Sequence, residues 1–238
     1  LNEANTTYLL NQSVNNTGTC FTILANNVTL DCQGYDVNYS SSATINGYGV
    51  NVSGYNWSTI KNCNITEGSS STSSRYGIYL YASNNGTITN NNITTRSTNG
   101  GGVTIGLITR ANYNNISGNR LTTFSGDVRG MILIGTNSNL NIIINNNISS
   151  AINARSGITI GGGTSNTILN NTISLAVASC MGNYGGILLS VLSTNNTIVT
   201  NNTVIVTGAT GCGIGFNSAG LNNTFVGNQV NSSQGQSY

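Results

Sequence analysis

The sequence predicts an all-β solenoid in which each strand stacks in parallel on its counterpart one coil away, and two recurring patterns with one absence predict it. The first pattern is an apolar residue, an asparagine three places on and another apolar residue: Ile88-Asn91-Ile93, Ile116-Asn119-Leu121, Ile143-Asn146-Ile148, Ile168-Asn171-Ile173, Ile198-Asn201-Val204 and Phe225-Asn228-Val230. Its asparagines recur every 25 to 30 residues, a spacing that marks a solenoid. The second pattern is a glycine followed by alternating apolar residues, and the absence is that of any helical periodicity.

Taken along the chain, the glycine blocks begin at Gly49-Val50-Asn51-Val52 and return at Gly77, Gly102, Gly130, Gly157, Gly186 and Gly213. Apolar residues at period two, dominated by β-branched types, are the mark of a strand with one buried face. With the asparagine triplets between these blocks, each period of about 27 residues holds two or three such strands. Two-residue Asn-Gly hairpins with antiparallel partners do not join them, so each strand must find its partner one coil above, about 4.8 Å away. Asparagine suits the bends, because it tolerates the left-handed conformation and its amide bonds like amides in a ladder. The ladder is expected at Asn91, Asn119, Asn146, Asn171, Asn201 and Asn228. The repeat runs through residues 20–231 without a linker, so the reading is a single domain over 1–238: an N-terminal strand and lead-in at 1–19, coils at 20–231, a polar tail at 232–238.

The opening Asn27-Val28-Thr29-Leu30-Asp31-Cys32-Gln33-Gly34-Tyr35, followed by Ser58-Thr59-Ile60-Lys61-Asn62-Cys63-Asn64-Ile65, resembles the first coils of right-handed parallel β-helix repeat proteins. The likeness is to NosD-like and to carbohydrate-binding and sugar-hydrolase β-helix domains of archaeal type. It implies a single-stranded right-handed parallel β-helix of about eight coils, and it is weak for activity because the fold hosts lyases, hydrolases, adhesins and scaffolds. Copper delivery, which a NosD-like relation suggests, needs clustered His, Met or thiolate ligands. Here His is absent and Met131 and Met181 stand apart, so no cofactor is expected.

Charged residues make up 5% of the chain and the formal balance is +2, with no basic run, which argues against nucleic acid. No apolar stretch reaches membrane-spanning length. The chain begins at Leu1 and reads as a mature or trimmed form. A surface this poor in charge needs hydroxyls, amides or sugars to stay in solution. The sequence holds 17 Asn-x-Ser/Thr acceptors, against about 11 expected by chance. Those at bends are the expected N-glycan carriers: Asn5, Asn11, Asn15, Asn38, Asn56, Asn85, Asn195, Asn222 and Asn231. The acceptors at Asn64, Asn92 and Asn147 are also what the strand pattern itself generates.

Five cysteines stand at 20, 32, 63, 180 and 212. Cys180 and Cys212 precede glycine blocks on adjacent coils and are the first expected disulfide. Cys20 with Cys32 is the second, leaving Cys63 a buried thiol, and Cys32 with Cys63 is the alternative to it. Disulfides fit an extracellular or cell-surface setting, and the lack of Cys-x-x-Cys spacing argues against zinc.

Catalysis has little to work with. The acids are Glu3, Asp31, Asp36, Glu67 and Asp127. Asp31 and Asp36 alone are close, beside Gly34, where they suit bend formation rather than the paired carboxylates of a hydrolase or the calcium ligands of a lyase. Arg75, Arg129 and Arg155 near the glycine blocks suggest either an arginine column gripping an acidic sugar or solvated loop-edge charges, the latter favoured. Tyr48, Tyr55, Trp57, Tyr76, Tyr79 and Tyr81 concentrate aromatic area in the N-terminal third, a candidate sugar-binding face or a packed cluster. No capping helix is visible at either end and proline is absent, so exposed strand edges invite self-association. The expected function is an extracellular glycosylated structural protein that stacks head to tail into a filament or surface array. A polysaccharide-binding or polysaccharide-cleaving β-helix and a trimeric adhesin are the alternatives.

Overall fold

A computed structural model describes residues 1–42, 45, 47–69, 75–97, 103–124, 130–150, 156–176, 185–190, 195–207, 212–216 and 220–232. Among them every strand pairing is parallel, and the strands sort into two nine-stranded sheets and one of eight, where about eight coils were expected. We call them sheets A, B and C. One coil contributes a three-residue strand to A, such as Thr87–Thr89, a four-residue strand to B, such as Asn92–Thr95, and a longer strand to C, such as Val103–Ile108.

The register shows why the period held. Ile88 of sheet A lies between Ile60 and Ile116, and Ile93 of sheet B lies between Ile65 and Leu121, so each inward side chain stacks on its own kind. These columns are sealed from solvent and form one continuous core. The opening glycine has a steric origin at Gly49, Gly77, Gly157, Gly186 and Gly213. A Cβ on Gly49 would come within 2.5 Å of Ile65 Cγ2, and one on Gly157 within 2.7 Å of Ile173 Cγ2. At these five positions sheet C enters its coil across a β-branched side chain of sheet B, where only a bare backbone fits.

Coiling begins earlier than the repeat suggested. Thr7–Leu9 pairs with Thr29–Asp31 and Val14–Asn15 with Val37–Asn38, so the expected lead-in segment is itself the first rung of sheets A and B. Its inward residues, Tyr8 and Val14, are too few to show a period.

Candidate functional site

The A-to-B bend carries the ladder, and it assigns two tasks to two neighbouring residues. Asn90, Asn145, Asn170 and Asn201 adopt φ of 53–57°, turning the chain. The next residue points its amide inward. Asn119 Oδ1 accepts from both the backbone N–H and Nδ2 of Asn91 at 3.0 Å, and the same double bond links 119 to 146, 146 to 171, 171 to 202 and 202 to 228. The expectation of Asn201 is corrected to Asn202: Asn201 is the exposed left-handed residue, and Asn202 is the buried rung. An Asn-Asn pair hides this choice from a reader of the sequence.

Two further ladders escaped sequence reading. At the C-to-A bend the buried Asn114 donates through its backbone N–H and Nδ2 to Asn141 Oδ1, and Asn141 does the same to Asn166. Outside it, Asn56 Oδ1 accepts from Asn84, Asn84 Oδ1 from Asn112 and Asn112 Oδ1 from Asn139, a chain running the opposite way. The signal was present as fixed offsets: Asn114, Asn141 and Asn166 fall five places, and Asn84, Asn112 and Asn139 seven places, before Asn119 and its successors or Asn91 and its successors. Asn56 and Asn195, both expected glycan carriers, use their side-chain oxygens here, Asn195 accepting from Leu221 N–H. Asn5, Asn11, Asn15, Asn85, Asn222 and Asn231 are exposed, and Asn38 is half-buried.

In the first coils cysteines take over the ladder column. Because Asp31 pairs with Lys61, Cys32 and Cys63 follow equivalent strands, with Cα atoms 4.7 Å apart, and they form a disulfide. Cys63 N–H then donates to Asn91 Oδ1, joining disulfide to ladder. The Cys20–Cys32 pairing and the Cys63 thiol are therefore corrected. Cys20 lies before sheet C, bonded through Sγ–H to Asn38 O, and burial pushes its thiol up to about 11. Cys212 is disulfide-bonded; Cys180, its expected partner, lies outside the described residues.

The acids among the described residues are dispersed, and the carboxylates of Asp31 and Glu67 are engaged. Asp31 is on sheet A and Asp36 on sheet B, across a bend from one another. Slight burial raises the Asp31 carboxyl, but bonds from Asn62 Nδ2 and Gln33 N–H with the Lys61 ammonium at 3.3 Å outweigh it and hold the group below its usual range. Glu67 and Arg75 form a fully buried pair at 3.4 Å. Glu67 also accepts from the N–H groups of Arg96 and Ser97 and from the Ser97 hydroxyl, while Arg75 donates to Ser69 O and Ser42 O. One ion pair thus pins the B-to-C corners of three successive coils. The solvated-edge reading of Arg75 is overturned, and so is the sugar-gripping one, because its side chain is wholly inside. Burial and the Glu67 charge push the nearby Tyr39 phenol well above its ordinary range. Asp127, Arg129 and Arg155 lie outside the described residues, among which no group of three metal-ligating side chains occurs.

On the outer face of sheet C, Tyr79 stacks on Tyr48 at 4.7 Å and parallel to Tyr81 at 6.5 Å, with Tyr76 edge-on at 5.0 Å. Gly106 makes room, since a Cβ there would lie 2.7 Å from the Tyr76 ring. Burial, then the neighbouring phenols, push Tyr79 up to about 12. Most ring faces in this cluster are spent on one another. Trp57 stands apart on a bend at φ 58°, half exposed.

The terminal rungs complete the geometry. At one end Thr7-Tyr8-Leu9 and Val14-Asn15 edge sheets A and B, with Leu9 59% exposed; at the other, Thr224-Phe225-Val226 and Gln229–Ser232 do so, with Val226 56% exposed. Leu1 lies along the outer edge of Phe21–Ile23, donating from its amine to Thr22 O and accepting from Leu24 N–H.

A family described as the right-handed β-helix region matches residues 48–230, over three quarters of the chain, and the protein belongs to that family. The fold is accordingly a right-handed parallel β-solenoid. Neither the curated proteins nor the solved structures yield a match. No helix among the described residues is long and apolar enough to cross a membrane.

Proposed function

We propose that the protein is a non-enzymatic, extracellular structural rod that joins end to end through the edges of its terminal coils. The observation that carries this reading is the chemical match between those edges. Continuing the sheet register by one rung sets Thr7-Tyr8-Leu9 of a second copy on Thr224-Phe225-Val226, and Val14-Asn15 on Val230-Asn231. Threonine meets threonine, an inward aromatic meets an inward aromatic, and the two half-exposed outward apolar residues cover one another. Such a joint satisfies main-chain edges that water otherwise serves, and its heterologous contact repeats without closing. The ladder does not cross it, because Leu10 occupies the column that Asn228 would bond, so the joint is the weakest rung of the assembly.

The Cys32–Cys63 disulfide and the sparse charge support an oxidising, extracellular location. Glycans would occupy exposed acceptors clear of the joint, such as Asn85, while the ladder positions and the facing Asn15 and Asn231 stay bare. Sedimentation of the chain with disulfides intact tests the joint: growth into long particles with rising concentration, abolished by Leu9→Lys, is expected. A concentration-independent monomer rejects it.

A polysaccharide-binding role draws on the tyrosine cluster, where Tyr81 keeps 43% of its surface exposed. Glycan-array binding lost in Tyr81→Ala would favour that role. A discrete three-fold particle would favour a trimeric adhesin.

A further inference from the structure

The C-to-A bend turns on one left-handed residue per coil. Asn27, Trp57, Asn85, Tyr113, Leu140 and Ser165 take φ of 55–58°. Each hangs on the next coil, Trp57 N–H donating to Asn84 O at 2.9 Å and Asn85 N–H to Asn112 O at 3.0 Å, so these residues form one column. Asparagine enters the left-handed region readily, whereas a bulky side chain there is uncommon and points to a function that holds it. Trp57 and Tyr113 are bulky, left-handed and exposed, at 53% and 58%, so core packing does not account for them. Asn85 stands on the rung between the two. It opens Asn85-Gly86-Thr87, an N-glycan acceptor, and its exposed side-chain amide has no hydrogen-bond partner among the described residues. Asn27 gives the contrast. Asn27-Val28-Thr29 is an acceptor too, but its amide donates to Asn5 Oδ1 at 2.9 Å and an aromatic residue flanks it on one side alone.

We propose that Asn85 carries a sugar chain whose first pyranose is seated between the Trp57 and Tyr113 rings. This rests on the glycosylation reading above and adds the seat that selects Asn85 among the acceptors. The linkage forms when Asn85 Nδ2 displaces the phosphate leaving group of an activated sugar donor: a C–N bond is made at the anomeric carbon, its C–O bond is broken and the amide gives up one proton. Equal backbone conformations send the three side chains out from the bend in the same direction. Two rung spacings set Trp57 and Tyr113 roughly 10 Å apart, a slot that one saturated ring fills when it meets an aromatic face on either side at ~4 Å. The C–H faces of a pyranose are apolar and its hydroxyls lie at the rim, so the rings are covered while the hydroxyls stay in water. The two strained aromatics thereby gain an occupant that the chain itself supplies.

Trp57 is the one tryptophan in the sequence, so its fluorescence reports this slot alone. The test uses the full chain secreted from a host that attaches N-glycans. Site-resolved glycopeptide mass spectrometry should find sugar on Asn85. Thr87→Val abolishes this acceptor, keeps a β-branched strand residue and leaves the Asn27 acceptor intact. It should shift Trp57 emission to longer wavelength and raise its quenching by acrylamide about twofold, as one face of a half-exposed ring returns to water. Circular dichroism checks the fold of the variant, and enzymatic release of sugar from the folded parent should give the same change without any substitution. Sugar on other acceptors with Asn85 bare overturns this inference and leaves the glycosylation reading standing, whereas no sugar on any acceptor overturns both. Sugar on Asn85 with Trp57 quenching unmoved by its loss overturns the seat.

Discussion

At the residue scale, the division of labour within each Asn-Asn pair makes neighbouring asparagines respond differently to substitution. Asn146 Oδ1 holds both donors of Asn119 inside the solenoid, so Asn146→Ala strands buried N–H groups and should cost about 3 kcal/mol in chemical denaturation. Asn201→Gly keeps the positive φ and should leave stability within about 0.5 kcal/mol, whereas Asn202→Ala should behave like Asn146→Ala. Equal effects at 201 and 202 would refute the assignment. Ionisation adds a pH window. Cys20 and Tyr79 have folded values raised to about 11 and about 12 from ordinary values of 9.0 and 10.0. The unfolded chain loses these protons first, so their contribution is intact below pH 9 and is lost as pH climbs through the folded values. Asp31 is lowered from 3.8, so its contribution is present above that value and lost as pH falls below it. Thermal unfolding followed against pH should show a plateau between these limits, and Cys20 should resist thiol reagents until strongly alkaline pH.

At the element scale, the buried Glu67–Arg75 pair joins three corners that the sheets alone leave to loops. Glu67→Ala leaves a buried guanidinium without its counter-ion and should cost about 3 to 5 kcal/mol, while the double change Glu67→Met with Arg75→Met should cost less than that single one. A double variant as damaged as the sum of the singles would contradict the pairing. Reducing Cys32–Cys63, which closes a 31-residue separation, should cost about 3 to 4 kcal/mol. These two features mark the limit of what was legible. Strand existence and the parallel stack followed from periods that many residues state at once, such as Ile60-Ile88-Ile116. Pairs such as Glu67 with Arg75, or Cys32 with Cys63, occur once, and their partnership depends on which residues share a corner or a column. One-residue differences in bend length set that: Cys32 follows Asp31 directly, whereas Cys63 stands two beyond Lys61. The two extra ladders were written in the sequence as constant offsets but lay hidden among many other asparagines.

At the scale of the whole molecule, three sheets, three ladders and one unbroken core hold Asp31 and Glu67 in structural bonds, and half-exposed apolar side chains stand on the terminal rungs. Rods joined through sheets A and B would continue those two stacks, with the ladder broken where Leu10 meets Asn228 and sheet C, one strand shorter, interrupted at Leu1. Dissociation on dilution should therefore begin at joints while the rods themselves stay folded, as far-ultraviolet circular dichroism recorded alongside sedimentation would show. The most direct measurement is electron cryomicroscopy of the concentrated, oxidised chain. Filaments with an axial period of about nine rungs, roughly 43 Å at one strand spacing per rung, are the predicted result. Dispersed single rods at every concentration, or a closed particle of fixed copy number, would contradict it.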